Sequence, residues 1–434
     1  MKKNILIFPA GSEIGLEIHA SLKHNKHFST FAASSIPSHA NCVFPDSEHI
    51  LPHISDSGFI DGLNQLLTEL EIDYIFPAHD EVILALAKSS QRLAAELLCV
   101  PWEICQLTQY KANTYTALSE EAFVPRCYSQ ATEIDNYPVF RKPSRGQNSI
   151  GAHIVDDATH LQSIDKPFKD HVITEYLPGR EYTVDCFSTR SGELLFCQPR
   201  ERLRTKYGIS MHSLTTSDHA QRISEIARKL VSRLGIFGGW FFQVREDKLG
   251  VPKLLEVAPR IAGTSVSARF GGVNLAALTI YDAMGIPVSV IKNDLNVEIE
   301  RSIANRVVAR EEFDSLVIDL DDTLITPDNR VCIKVLSLIY QYRETNRPVT
   351  LVSRHARDIR QTLDQHCLSS LLFDSIVHLQ SGEPKSDHMP VKGRTLFVDD
   401  AFAERLEVSK SKENVVVIDV DAVDGFIDYR RGSI

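Results

Sequence analysis

The sequence predicts a multidomain protein of mixed α/β and α+β class, and three observations carry that prediction. Short apolar runs alternate with amphipathic stretches over about the first hundred residues, the pattern of an open α/β sheet. The middle of the chain is rich in β-branched and aromatic runs separated by short turns. Near residue 300 the strand–helix alternation starts afresh. The chain has 434 residues; at about 100–200 residues per domain this is room for two to four domains, each able to bury a core. The expected boundaries are 1–105, 106–305 and 312–434, with a junction around 305–314 that has no Gly/Ser-rich tether.

The elements follow in order. NILIF (4–8) reads as a strand, Gly11 to Gly15 as a turn, and Leu16, His19, Ala20 and Leu22 as the start of a helical face. FSTFAAS (28–34), a helical stretch near 59–70 and IDYIFPA (72–78) continue the alternation. The glycine spacing after the first strand is G-x-x-x-G rather than G-x-G-x-x-G, so a tight strand-to-helix turn outweighs a dinucleotide fingerprint. VFRKPSRGQNSIGAHIV (139–155) is a basic, glycine-containing loop between β-branched runs, and VITEYLPGREYTVDCFS (172–188) is strand, turn, strand. DHAQRISEIARKLVSRLG (218–235) places Ile223, Ile226, Leu230 and Leu234 on one helical face, with Gly235 as the stop. Strands are expected over 238–247 and 253–260, and a helix around 274–284. Beyond the junction, 314–325, 347–355, 373–379 and 394–402 read as strand regions.

Composition narrows the function. The chain is 43% hydrophobic and 24% charged, the balance of a soluble globular protein, and its formal net charge of −10 sets nucleic-acid binding aside. No apolar run approaches the roughly 18 residues of a membrane span. The apolar start stops at Pro9 and is followed by Glu13, so it reads as a strand rather than a leader. Eight cysteines are scattered without a C-x-x-C pair, which leads us to expect reduced thiols in a cytoplasmic protein.

One constellation suits ATP and Mg²⁺ (or Mn²⁺). Lys142 precedes a loop containing Gly146, Ser149 and Gly151, whose backbone N–H groups can fold over phosphates while the lysine neutralises charge. Gln243 and Glu256, on consecutive strands, offer oxygen ligands to a hard cation, and Arg260 can brace a transferring phosphoryl group. Each residue alone has an ordinary alternative as surface or ion-pair partner; their order along the chain is more telling.

That order resembles the ATP-grasp superfamily, in the carboxylate–amine ligase branch similar to the carbamoyl-phosphate synthetase large chain. The resemblance covers roughly residues 1–300 and implies a Rossmann-like domain before a two-part grasp. It implies that Lys111, in QYKANTY, and Lys142 bind ATP, that Glu175, Tyr176 and Leu177 form the adenine hinge, and that Glu181 takes the ribose. Gln243 and Glu256 would be the metal ligands and Arg260 the stabiliser of the acyl-phosphate step. Where the family has E-x-N-P-R, with the Asn as a further ligand, this chain has E-V-A-P-R, and Ala258 cannot ligate. The stretch 198–210 adds Arg200, Arg202, Arg204 and Lys206; the resemblance sets it beside the substrate, and a solvated basic hairpin is the equal alternative.

A second constellation ends the strand before residue 319. Asp319 and Asp321 are two apart and on a strand project the same way, where one carboxylate can attack phosphorus and the other protonate the leaving oxygen. Ser353, Lys385 and the pair Asp399 and Asp400 follow. This resembles the haloacid dehalogenase-like phosphatase superfamily over about 314–434. The resemblance implies that Asp319 is the nucleophile and Asp321 the general acid, that Ser353 and Lys385 hold the phosphoryl oxygens, and that Asp319, Asp321, Asp399 and Asp400 surround the metal. Ser353 comes only 34 residues after Asp319, which leaves no room for a large cap.

The expected function is therefore an ATP- and Mg²⁺-dependent ligase joining a carboxylate to an amine or thiol, fused to a phosphohydrolase acting on a phosphorylated small molecule. Two alternatives stay open: the phosphatase as the main activity with the grasp as an ATP-responsive module, and an inactive scaffold.

Overall fold

The computed structural model describes residues 2–146, 150–303, 306–309 and 311–431. The chain divides into two compact units, Met1–Ile303 and Ala304–Ile434. Among the described residues no helix is long and apolar enough to cross a membrane.

The first unit opens with a five-stranded parallel sheet: β1 (Lys3–Phe8), β2 (Phe28–Ser34), β3 (His49–Ile50), β4 (Tyr74–Pro77) and β5 (Glu96–Leu97), in the order β3-β2-β1-β4-β5. Ile5, Leu6 and Ile7 on the central strand are all fully buried. Helices cover both faces of such a strand, which explains a continuous apolar run instead of alternation. Helices α1 (Glu13–Leu22), α2 (Phe59–Glu69) and α3 (Asp80–Lys88) connect the strands. Ser12 caps α1 by accepting the Gly15 amide at 2.9 Å. Helices α4 (Trp102–Gln109) and α5 (Lys111–Ala117) lead into the next layer.

A four-stranded sheet follows, built of β6 (Cys127–Tyr128), β7 (Val139–Pro143), β8 (His153–Val155) and β9 (His171–Glu175), with α6 (Ala158–Ser163) between the last two. The largest sheet comprises β10 (Glu181–Ser188), β11 (Leu194–Lys206), β12 (Ile209–Thr215), β13 (Gly238–Glu246), β14 (Pro252–Ala258) and β15 (Glu298–Glu300), in the order β14-β13-β10-β11-β12-β15. Its neighbours are antiparallel throughout. Helix α7 (Ala220–Leu234) buries Ile223, Ile226, Ala227, Leu230, Val231 and Leu234. Burying each large aliphatic side chain stabilises by about 1.5–3 kcal/mol. The helix stops at Gly235, whose φ of +69° is open to glycine at little cost. Helices α8 (Val266–Phe270) and α9 (Leu275–Ala283) complete the unit.

The second unit is a five-stranded parallel sheet of β16 (Ser315–Ile318), β17 (Val349–Ser353), β18 (Ser375–His378), β19 (Thr395–Val398) and β20 (Val415–Ile418), in the order β18-β17-β16-β19-β20. Helices α10 (Ile333–Glu344), α11 (Ile359–Gln365) and α12 (Phe402–Ser411) link the strands. The first strand is central, so its carboxyl end and that of β19 meet where the strand order reverses. Open α/β sheets place ligands at such points.

Candidate functional site

In the first unit, five segments far apart in sequence converge on one pocket of about 160 Å³. Its walls include Lys111, Lys142, the run Glu175–Leu177, Glu181, Gln243 and Glu256. Sheet register accounts for part of this. Gln243 pairs with Thr183 on one side and Glu256 on the other, which aligns one position on each of three adjacent strands. Ser149, expected in the glycine-containing loop, lies outside the described residues.

Lys142 is buried beneath the pocket. Its Nζ donates to the Tyr115 hydroxyl at 2.7 Å and to the Leu255 carbonyl at 3.2 Å. Both partners are neutral. Burial, with Lys111 next in effect, pulls its pKa down to about 8. Lys111 lies 3.7 Å from Glu256 and donates to the Gly146 carbonyl at 3.0 Å. Arg202 bridges two other members: it pairs with Glu181, and its Nη1 donates to Gln243 Oε1 at 3.0 Å. At the hinge, Glu175 Oε1 accepts the Arg126 amide at 2.9 Å.

A polar cleft of about 380 Å³ adjoins this pocket and shares Lys111, Arg202, Gln243 and Glu256 with it. Its other walls include Glu13, Asp80, Arg200, Arg260 and Arg301. Arg260 sits here, not in the smaller pocket. Its Nε and Nη2 both donate to the Asp80 carboxylate, its Nη1 donates to the Ile261 carbonyl at 3.3 Å, and it lies 5.1 Å over the Phe241 ring. Ala258 packs with Phe241 and Ala262 in a small apolar cluster.

The basic hairpin divides: Arg200 and Arg202 turn inward toward the pockets, while Arg204 and Lys206 lie on an exposed face. Arg200 is 1% exposed and its Nε donates to Asp185 at 2.8 Å. Arg200 Nη1 and Arg202 Nε are buried with no hydrogen-bond partner among the described residues. Arg204 pairs with Glu300 at the sheet edge, and Lys206 lies 5.9 Å over the Tyr207 ring. The glycine pair after β1 serves close packing. A Cβ on Gly11 would stand 2.1 Å from Ser38 Oγ, and one on Gly15 would stand 2.6 Å from the Pro9 carbonyl oxygen.

In the second unit, Asp319, Asp399 and Asp400 each bring a carboxylate oxygen within 4.8 Å of the others. The strands explain the meeting. Ile318 is in register with Val398 on β19, so the residues just past two neighbouring strand ends, Asp319 on one and Asp399 and Asp400 on the other, meet. Lys385 is 3% exposed; its Nζ stands 2.9 Å from Asp319 Oδ1 and donates to Asp399 Oδ2 at 2.6 Å. Burial pushes the Asp319 carboxyl up to about 6, against the pull of Lys385 and with a further push from Asp399. Burial works to lower the Lys385 pKa, but the two carboxylates outweigh it and hold it above its ordinary value.

Asp321 departs from expectation. Strand β16 ends at Ile318, so the two-residue alternation that would align Asp321 with Asp319 does not extend that far. Asp322, between Asp321 and Thr323, takes a φ of +55° in the turn. The Asp321 carboxylate is instead held by His355 Nδ1 at 2.8 Å, outside the three-acid cluster. The His355 Nε2 in turn meets Thr362 Oγ1 at 2.7 Å. Sequence reasoning did not single out His355, Thr362, Tyr115 or Asp80. Two of these carry a local signal: His355 follows Ser353 by two positions, and Asp80 opens a helix directly after a strand.

Comparison with known proteins bears on the first unit. Residues 167–303 match the sequence family described as ATP-grasp in the biosynthetic pathway with Ter operon. No curated protein sequence matches the chain. Among solved structures, the chain is similar to the biotin carboxylase domain of Hydrogenobacter thermophilus 2-oxoglutarate carboxylase, in complex with MgADP, ADP and bicarbonate. The identity is 15%, the coverage 69% of this chain and 74% of that one, and the TM-score 0.56. It is similar to the L-amino acid ligase of Bacillus licheniformis at 19% identity, covering 66% and 75% of the two chains with a TM-score of 0.53. It is likewise similar to N5-carboxyaminoimidazole ribonucleotide synthetase of Thermotoga maritima at 18% identity, covering 73% and 83% with a TM-score of 0.54. The fold shared by these proteins, and present in this chain, is the ATP-grasp fold.

Proposed function

We propose that the first unit is an ATP- and Mg²⁺-dependent ligase joining a carboxylate to an amine through an acyl phosphate, and that the second is a haloacid dehalogenase-like phosphohydrolase. The observation that carries the ligase reading is the convergence of Lys111, Lys142, Glu175–Leu177, Glu181, Gln243 and Glu256 on one pocket. In this reading the adenine lies on the hinge, Glu181 takes the ribose, and the two lysines take the phosphates. Gln243 and Glu256 suit Mg²⁺ in donor type, since a hard cation bound with phosphates needs only one or two protein oxygens. The ion supplies charge neutralisation to the phosphates. The carboxylate lies in the polar cleft near Arg260 and the unpartnered guanidinium atoms of Arg200 and Arg202. Little else is asked of the protein than positioning and charge complementarity. The solved relatives support the cofactor assignment, one of them being complexed with MgADP.

In the second unit the proposed nucleophile is Asp319. Its carboxylate oxygen bonds to phosphorus as the ester P–O bond breaks, and Asp321 gives a proton to the departing oxygen. Water then hydrolyses the aspartyl phosphate. Ser353 and Lys385 hold the phosphoryl oxygens, the serine by a hydrogen bond and the lysine by its charge, and the cluster Asp319, Asp399 and Asp400 has the all-oxygen chemistry that Mg²⁺ requires. Calorimetric titration of ATP with Mg²⁺ into wild type and Lys142→Ala tests the ligase half; equal affinity would remove the lysine from the site. One observation favours a second reading, in which ATP binds but is not turned over and serves to regulate the hydrolase. Ala258 occupies the place of a possible oxygen donor and, with Phe241 and Ala262, gives the cleft an apolar wall there. Steady ADP release with a panel of amino acids would exclude it.

A further inference from the structure

The parallel sheet of the first unit carries another cavity, which the chemistry above does not use. It is a crevice of about 860 Å³ over the carboxyl ends of β1 and β2, walled in part by Phe8, Ser34, Ile54, Val82, Ala85 and Trp102. The order β3-β2-β1-β4-β5 means that the chain first moves from β1 toward one edge and later returns on its other side. The carboxyl ends beside β1 are therefore at a topological switch point, where open α/β sheets bind small molecules. The volume is that of a ligand site.

Within the crevice one buried side-chain polar atom has no partner among the described residues. Ser34 is 4% exposed, and its hydroxyl has no hydrogen-bond partner among the described residues. Buried polar groups are normally satisfied, so this hydroxyl marks where a ligand atom belongs. Neighbouring groups are already engaged: Ser38 donates to Glu48 at 2.6 Å, and the Glu81 carboxylate pairs with Arg145. The floor thus presents apolar surface, the half-buried indole of Trp102 and a buried, unpartnered hydroxyl, with its acid compensated and its one lysine, Lys88, at the exposed rim. That combination fits an uncharged ring bearing a hydrogen-bonding group. Ser12 and His79 line both this crevice and the polar cleft, so the two cavities share a wall.

We propose that the crevice seats the uncharged, ring-bearing part of the substrate whose carboxylate or amine reacts in the polar cleft. The assignment of the reacting group rests on the ligase reading; the occupancy of the crevice does not. Trp102 provides the reporter, since the other of the two tryptophans, Trp240, is fully buried with its indole N–H donating to Ser188. The full chain is titrated with three probes while Trp102 emission is followed: 4-hydroxyphenylacetamide as the ring alone, L-tyrosine as ring plus reacting groups, and acetate as the head alone. Both ring probes should change the emission saturably and acetate should not, with tyrosine binding about tenfold more tightly because its head reaches the cleft. Ser34→Ala should weaken both by about fivefold or more, Ala85→Trp, read by calorimetry because it adds a tryptophan, should abolish both by filling the crevice, and Trp102→Phe should remove the signal. Binding that does not saturate, or that ignores Ala85→Trp, overturns the proposal. Equal affinity for tyrosine and the amide overturns the continuity with the cleft. Calorimetric ATP affinity, measured alongside, should be the same in wild type, Ser34→Ala and Ala85→Trp. Its absence in all three would sink the ligase reading while leaving the crevice result standing.

Discussion

Lys142 and Lys385 are both buried lysines, and they are held in opposite ways. Lys142 is surrounded by neutral acceptors, the Tyr115 hydroxyl and the Leu255 carbonyl, and burial pulls its pKa down to about 8. Lys385 lies between the carboxylates of Asp319 and Asp399, which keep it charged. The first lysine makes no direct ion pair among the described residues, feels Glu256 and Glu181 only at a distance, and is poised for an anion to pair with it. The second already has its anions, in a cluster of three acids and one lysine, which suits the arrival of a cation. The contrast teaches that the charge a pocket leaves uncompensated, rather than the presence of a lysine, indicates what the pocket accepts.

The largest expected effect would break the second half of that comparison. Asp319→Asn should lower kcat for p-nitrophenyl phosphate about 10³-fold or more, because the variant removes the proposed nucleophile. Calorimetry on the same variant should show unchanged ATP affinity; retention of full hydrolysis would refute the assignment. Asp321→Asn should be leaving-group dependent. A simple alkyl phosphate should be hydrolysed about 10²-fold more slowly, and p-nitrophenyl phosphate much less affected, since a good leaving group needs no proton. Steady-state rates across a leaving-group series are the measurement.

On the first half of the comparison, Lys142→Ala should weaken ATP binding about fiftyfold, the loss of a charge-assisted contact. The pH dependence sharpens it. Lys142 is charged below about 8 and discharges as pH rises through that value, so affinity for the polyanion should be highest on the acid side. Calorimetry at pH 7 and 9 should differ about tenfold in wild type, and this difference should vanish in Lys142→Ala. The smallest effect concerns independence. Residues 304–434 carry their own sheet and their own apolar core, from Phe313 to Ile427. Produced alone, they should hydrolyse p-nitrophenyl phosphate within about a factor of two of the full chain, as expected of a domain that folds by itself. A folded but inactive fragment would show that the site needs residues from elsewhere.

Much of the strand and helix pattern was legible because burial imposes periodicity. Ile5 to Ile7 form one apolar run since both faces of β1 are covered, and Ile223, Ile226, Leu230 and Leu234 recur at helical spacing since one face of α7 is. The acids at 319, 399 and 400 were legible for a similar reason: each follows an apolar strand whose end is easy to see. The same reasoning failed at Asp321, because the strand stopped one residue before Asp319 and the backbone turned.

The sequence by itself determined the class of fold, the order of the lysines, acids and glutamine along the chain, and the strand ends that carry the acids. These depend on local pattern, which a linear sequence records. Only the tertiary structure decided the partners. Asp80 holds an arginine 180 residues away, Tyr115 meets Lys142 across 27 residues, and His355 takes Asp321 across 34. It also decided that Ser34 lines a crevice with its hydroxyl open. Charge compensation and cavity shape arise from groups brought together by packing, and no spacing rule along the chain encodes a contact that the fold alone creates.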